Sequence, residues 1–240
     1  MSIIKIKKEE VSPIILLMMM FFCIVGSSIT GASARDTFFL TQFDRSLLPL
    51  MFALVAGLMV VVISIYNKMT SNLDLVKTII FSSVFFCITL FFIRFKLNGF
   101  VIPLFYAWTD VIISITIFQF WLLASEIFNP RQAKRLFSVI GIGGSVAGIS
   151  AGYLMRPFVL QYGAENLLIP TIIFIALIGV FAAFLNPFRA KKENNIKEKT
   201  NNKTSKNIFD PYLKSILVMV CAAAICSRII EYQFKITAAT

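Results

Sequence analysis

Runs of about 20 apolar residues recur along this chain, and they restrict its possible folds more than any other feature. A helix of that length crosses the hydrocarbon core of a bilayer, and in lipid it satisfies its own backbone hydrogen bonds. Hydrophobic residues make up 58% of the chain and charged residues 15%, which leaves little room for a soluble domain. We therefore predict an all-α membrane protein. The six predicted spans cover approximately residues 11–34, 47–66, 75–95, 100–128, 137–158 and 167–188, and a seventh begins near residue 211.

The composition changes abruptly after the sixth span. Residues 189–210 are rich in Lys and Asn and almost free of apolar side chains, which is typical of a solvated linker. The sequence thus predicts a six-span unit over 1–188, a charged cytoplasmic linker over 189–210 and the first span of an incomplete second unit over 211–240. This is the layout of half a major-facilitator-type transporter, which pairs two six-helix units. We expect the chain to be the N-terminal portion of such a protein, or to need a separately encoded second half.

The Lys and Arg residues predict the orientation of the spans. Most of them lie in the N-terminal segment, in the connections after the second and fourth spans, and in the linker. By the positive-inside rule these segments are cytoplasmic. We expect a multi-pass protein of the bacterial inner membrane with a cytoplasmic N-terminus. The net charge of +11 is dispersed over these connections, which argues against a nucleic-acid-binding surface.

The chain offers little of the chemistry that enzymes use. It has no His, and its four Cys lie inside apolar runs at spacings that do not match a metal site. We also find no pairing of a nucleophile with a base. The sequence therefore predicts neither an enzyme nor a bound cofactor.

A glycine-rich stretch follows a polar hinge between the fourth and fifth predicted spans. The hinge covers residues 129–135, and we interpret its cations Arg131, Lys134 and Arg135 as cytoplasmic loop residues. Small residues at helical spacing let two helix backbones approach closely in a bilayer, so we predict a tightly packed helix pair joined by the hinge. A phosphate-binding loop is excluded because the required glycine spacing and preceding strand are missing. The predicted packing residues are Gly141, Gly144, Gly148 and Gly152.

The fourth span carries a carboxylate among polar and aromatic residues. Asp110, Ser114, Trp121 and Ser125 share one helical face. A charge in the bilayer core is costly and usually faces a cavity, so we expect Asp110 to line a substrate pathway. For Trp121, plain packing is the alternative interpretation.

Two further groups of charges lie in or beside predicted spans. Arg35 and Asp36 close the first span, where an ordinary position at the membrane surface is the alternative to a functional one. Arg228 and Glu231 share a face of the seventh span, where a structural ion pair is the alternative. The candidate substrate-binding residues are therefore Arg35, Asp36, Asp110, Ser114, Trp121, Arg228, Glu231 and Lys235.

Short motifs at these positions, in the same order and from about residue 30 onward, resemble those of one family. Arg35-Asp36-Thr37 resembles a Lys-Asp-Thr segment. Residues 132–137 (QAKRLF) and the glycines after them resemble a Glu-Ala-Lys-Arg-Phe-Tyr segment and its glycine-rich successor. Residues 231–235 (EYQFK) resemble Glu-x-x-Trp-Lys, and Asp110 lies near the position of a carboxylate that precedes a Phe-Trp pair. The family is that of the nucleotide (ATP/ADP) translocases of plastids and intracellular bacteria.

The resemblance implies a major-facilitator-like exchanger of nucleoside tri- and diphosphates, with Arg35, Asp110, Glu231 and Lys235 among its functional charges. Arginine in place of the family's lysine keeps a cation suited to phosphate. We therefore predict a secondary active transporter in the lipid bilayer that exchanges an anionic, nucleotide-type substrate by alternating access. The alternatives are a truncated or non-transporting membrane protein that acts in assembly or regulation, and a major-facilitator-like transporter of a different small molecule.

Overall fold

The computed structural model describes residues 8–70, 73–96, 99 and 101–197, together with residues 226, 227, 229, 230 and 233. These residues form α-helices and short 3-10 turns, with no β-strand among them. The α-helices are α1 (Lys8–Gln42), α2 (Leu48–Thr70), α3 (Leu75–Phe95), α4 (Val101–Ile127), α5 (Pro130–Tyr162) and α6 (Leu168–Lys197), and the 3-10 turns are Arg45–Leu47 and Ala164–Leu167.

Each of the six α-helices contains a segment long and apolar enough to cross a bilayer, which confirms the prediction of an all-α membrane protein with six spans. The additional seventh span is not supported, since no further spanning helix occurs among the described residues and most of 211–240 lies outside them. α6 continues to Lys197, so the first residues of the predicted linker extend the sixth helix. The division into two transporter units stays a prediction.

The hinge between α4 and α5 is shorter than the sequence predicted. α5 begins at Pro130, because a proline at the first helical position has no N–H to satisfy and its backbone is already suited to a helix. The start is reinforced by a capping box in which the Asn129 backbone N–H donates to Oε1 of Gln132 over 3.1 Å. The predicted loop residues that fall instead within the first turns of α5 are Arg131, Lys134 and Arg135.

α1 is the central helix of the bundle and packs against α4, α5 and α6. The other main pairs are α3 with α6, α2 with α4, and α3 with α4. This set of pairs is unchanged when α1, α2 and α3 are exchanged with α4, α5 and α6, because α1–α5 becomes α4–α2 and α1–α6 becomes α4–α3. Successive spans cross in alternate directions, so α1 and α4 run oppositely. This pattern of pairs is the one expected of two three-helix units in an inverted repeat.

Ionic side chains connect the helices at the end of the bundle where α1 begins. Glu10, which is 6% exposed, accepts a 2.7 Å hydrogen bond from Nη2 of Arg135 at the start of α5. Arg189 of α6 pairs with Asp74, just before α3, and with Glu126 near the end of α4. If successive spans alternate in direction, these helix ends all lie on the same side of the membrane, as the contacts require.

The glycine-rich stretch packs against α1, and this corrects the prediction of a close α4–α5 pair. A Cβ added to Gly143 would overlap the backbone carbonyl oxygen of Met18, and one added to Gly144 would lie 2.5 Å from the Phe21 ring. Of the predicted packing glycines, Gly144 is the one at which an added Cβ would meet a neighbouring helix. Helical spacing identifies helix faces that are lined by small residues. The face that packs in the bundle is the one with the buried residues Leu136, Ile140 and Ala147. The predicted packing glycines at which an added Cβ would meet no neighbouring atom within 4 Å are Gly141, Gly148 and Gly152.

Candidate functional site

A buried ion pair joins α1 to α4. Nη1 of the Arg35 guanidinium donates to Oδ1 of Asp110, and the two residues are 4% and 5% exposed. Nε of Arg35 donates to Oδ1 of Asp36 over 3.3 Å, and the Asp36 side chain is more accessible, at 25%. The sequence predicted each of the three as a candidate. The fold brings together two of them that lie 75 residues apart in the chain.

Small side chains let α1 approach its neighbours one turn before Arg35. A Cβ on Gly31 would lie 3.3 Å from Cγ2 of Thr109 and 3.4 Å from Cγ2 of Thr171. The Thr171 hydroxyl donates to the Thr30 hydroxyl over 2.8 Å, which ties α6 to α1 at the same level. The backbones are therefore close enough for the guanidinium to reach the α4 carboxylate.

Tyr106 contacts the guanidinium from α4 as well. Its ring centroid lies 4.6 Å from Cζ of Arg35, within the range of a cation–π interaction, and the residue is fully buried. Because Tyr106 precedes Asp110 by one helical turn, α4 presents both a carboxylate and an aromatic ring to Arg35. Phe39 packs against the same ring with 5.2 Å between centroids. Tyr106 was not predicted from the sequence, although its i−4 spacing from Asp110 was a usable signal.

The other predicted residues of α4 lie beyond Asp110, toward the C-terminal end of the helix. Ser114 is half-buried and lines a separate cavity. Trp121 is 37% exposed and packs against Phe21 and Phe137, with ring centroids 5.7 Å and 5.2 Å away, which agrees with the packing alternative. Among the described residues, the polar face of α4 thus divides between different surroundings and does not form one continuous lining.

A cavity of about 240 Å³ lies between α2 and α4. The Tyr66 hydroxyl accepts a 2.8 Å hydrogen bond from Nε2 of Gln119, and Gln119 is in turn hydrogen-bonded to Ser82 of α3. Gln119 is only 1% exposed, so this network holds the Tyr66 side chain in place in the cavity wall. The residues that line the cavity are Met59, Ile63, Tyr66, Ser114, Ile115 and Phe118.

The remaining predicted positions are less informative. Arg228, Glu231 and Lys235 lie outside the described residues, so their part in the site stays a prediction. Arg131 and Lys134 are exposed on α5. No group of three or more His, Cys, Asp or Glu side chains within the described ranges could hold a metal ion. Comparison of the chain with protein-family models, with curated proteins and with solved structures gives no match.

Proposed function

We propose that the protein is a secondary active transporter of the bacterial inner membrane, with a cytoplasmic N-terminus, that exchanges an anionic, nucleotide-type substrate by alternating access. The observation that carries this proposal is the buried ion pair between Arg35 and Asp110. Its two residues sit on α1 and α4, the helices at equivalent positions of the two three-helix units.

A buried ion pair contributes little net stability to the contact between two helices. Removing each charge from water costs several kcal/mol, and well-packed apolar residues in the same place are often equally stabilising or better. Charges kept inside membrane-spanning helices therefore usually belong to a substrate or ion pathway. Arg35 and Asp110 meet this description, because both are almost completely buried within segments that can span a bilayer.

The chemistry of Arg35 favours an anionic substrate. A guanidinium presents a planar fork of N–H donors that matches phosphate oxygens, and it stays charged at any physiological pH. In the structure Asp110 accepts a hydrogen bond from this fork, as a substrate phosphate would. Competition between the Asp110 carboxylate and a phosphate for Arg35 gives the site two arrangements, one with substrate and one without. Alternating access requires two states that the substrate can bias.

The packing of the helices supports the same proposal. Major-facilitator-type transporters contain three-helix inverted repeats within each six-helix half, and their substrates bind at an interface between repeats. Here the exchange of α1–α3 with α4–α6 preserves the main packing pairs, and the ion pair joins a helix of the first set to a helix of the second. The nucleotide class comes from the resemblance of Arg35-Asp36-Thr37 and the neighbouring motifs to the nucleotide translocases.

The test is exchange of radiolabelled external ATP for internal ADP in proteoliposomes, with protein purified from its native membranes together with any bound partner. Arg35→Gln should lower the initial rate about 30-fold or more, since truncating one partner of a buried charge pair costs about 2–5 kcal/mol. Arg35→Lys carries the residue of the resembling family and should retain a measurable rate. Arg156→Gln is the matched control, because Arg156 is an exposed arginine of α5.

The outcomes separate the parts of the proposal. Equal rates for the Arg35→Gln and Arg156→Gln proteins would show that the ion pair is not part of a substrate pathway. Absence of exchange by the unaltered protein with every nucleotide tested would refute the nucleotide class.

A further inference from the structure

We infer that the cavity between α2 and α4 is a subsite for the uncharged ring of the substrate, adjacent to the Arg35–Asp110 pair that binds its anionic group. The inference rests on the proposed function and divides the recognition of the substrate between two places. The cavity was not predicted as a site from the sequence, although Ser114, which lines it, was a candidate residue.

The cavity lies within reach of the ion pair along α4. Ser114 follows Asp110 by one helical turn, which is about 6 Å along the axis, and Phe118 follows it by about 12 Å. Ser114 and Phe118 both line the cavity. A phosphate group bound by Arg35 can therefore belong to a molecule whose other end lies between α2 and α4.

The lining of the cavity selects an uncharged, weakly polar group. None of its six lining residues is charged, and four of them (Met59, Ile63, Ile115 and Phe118) are apolar. A second phosphate would lose its hydration there without gaining a cation, which is costly. A planar ring, in contrast, gains apolar contacts with the methionine and aromatic side chains. A volume of about 240 Å³ holds a small ring system, although it falls just below the usual range for a whole drug-sized ligand.

Two hydroxyl groups give the subsite its polar contacts. Tyr66 contributes one from α2 and Ser114 the other from α4. The hydrogen bonds from Gln119 to Tyr66 and between Gln119 and Ser82 hold the Tyr66 oxygen in position before any ligand arrives. A few well-placed polar groups in a mostly apolar cavity are typical of sites that orient a ring.

The test measures the binding of ADP and of pyrophosphate to the purified protein by isothermal titration calorimetry. Both probes carry the phosphates that Arg35 would hold, but only ADP carries a ring. Ser114→Phe fills the cavity from α4 and should raise the Kd of ADP about tenfold or more, as expected when one ring is no longer buried. The Kd of pyrophosphate should stay close to its original value. Ser145→Phe, at an exposed position of α5, is the matched control for the added ring.

A second variant guards against misfolding. Ile63→Trp fills the same cavity from α2, and it decides the question by the same criterion if Ser114→Phe does not give a monodisperse protein. Weaker ADP binding with unchanged pyrophosphate binding supports the subsite. Unchanged ADP binding in both variants, or equal weakening of both probes, overturns it. Failure of the unaltered protein to bind either probe refutes the proposed anion site instead.

Discussion

Alanine at Gly143 should loosen the contact between α5 and α1, whereas alanine at Gly148 should not. A Cβ at Gly143 would overlap the carbonyl oxygen of Met18 and come within 2.9 Å of its Cγ, while a Cβ at Gly148 would meet no atom within 4 Å. Both substitutions lie in the same helix and add the same methyl group. The two variants thus compare a position in close contact with the α1 backbone and a position that has no neighbouring atom within 4 Å of the added methyl group.

The difference in stability follows from this geometry. In water, alanine stabilises a helix by about 1 kcal/mol relative to glycine, and this gain is similar at the two positions. Overpacking a tight contact costs about 1–3 kcal/mol. The obstacle at Gly143 is a backbone atom of α1, which cannot rotate away as a side chain could. We therefore expect the Gly143→Ala protein to be less stable than the Gly148→Ala protein by about 1–3 kcal/mol.

The assay follows the reaction of Cys23 with a thiol-reactive dye during heating in detergent. Cys23 is 4% exposed in α1 and becomes accessible when the helices separate. The three other cysteines are replaced by alanine so that only this thiol reports. For a chain of this size a 1 kcal/mol difference corresponds to about 2–4 °C in Tm. Equal Tm values for the two variants, or a lower Tm for Gly148→Ala, would refute the close approach of α5 to α1.

Three further predictions concern charges. Arg35→Gln alone should destabilise the protein by about 3–5 kcal/mol, because it leaves the buried Asp110 carboxylate without Arg35. The double variant with Asp110→Asn should be closer to the original, since only the more accessible Asp36 then loses its contact with Arg35. Equal Tm values for the single and double variants would contradict this. Arg189→Gln removes two partly buried ion pairs, each worth about 0.2–1 kcal/mol. The Tm of this variant should fall by only a few degrees, and by less in high salt, because salt screens charges. A loss that does not depend on salt would argue against an ionic role. In a cysteine-free background, Asp44→Cys should react with a membrane-impermeant maleimide from outside intact cells and Lys134→Cys only after permeabilisation, and the reverse pattern would overturn the proposed cytoplasmic N-terminus.

The candidate site shows how far residue patterns lead. Arg35 and Asp110 were both identifiable as candidates, Asp110 as a costly charge inside a span and Arg35 as a charge at the end of one, because that cost depends only on residue type and on the apolar run around it. Their pairing was not identifiable, since they lie 75 residues apart. α4 itself contains no Lys or Arg that could pair with Asp110. The cation that faces it comes from another helix, brought close by small residues such as Gly31.

The glycines make the same point about packing. Four of them had helical spacing that is typical of close contact, yet among these only Gly144 meets a neighbouring helix. Gly143, which was outside the predicted packing set, makes the closest approach of all. Spacing gives the relative positions of residues around one helix. It contains no information about which side another helix will occupy.

The sequence by itself determined that the described residues are helical and include six helices long and apolar enough to cross a membrane. That outcome depends on local runs of apolar residues, because a bilayer requires about 20 of them and leaves no other way to satisfy the backbone of a single span. Only the tertiary structure decided that α1 lies at the centre of the bundle and that a cavity lies between α2 and α4. It also decided that Arg35 pairs with Asp110 and contacts the ring of Tyr106. An apolar helix face is about equally stable against lipid and against another apolar helix. Which helices pack together therefore depends on how well their side chains fit.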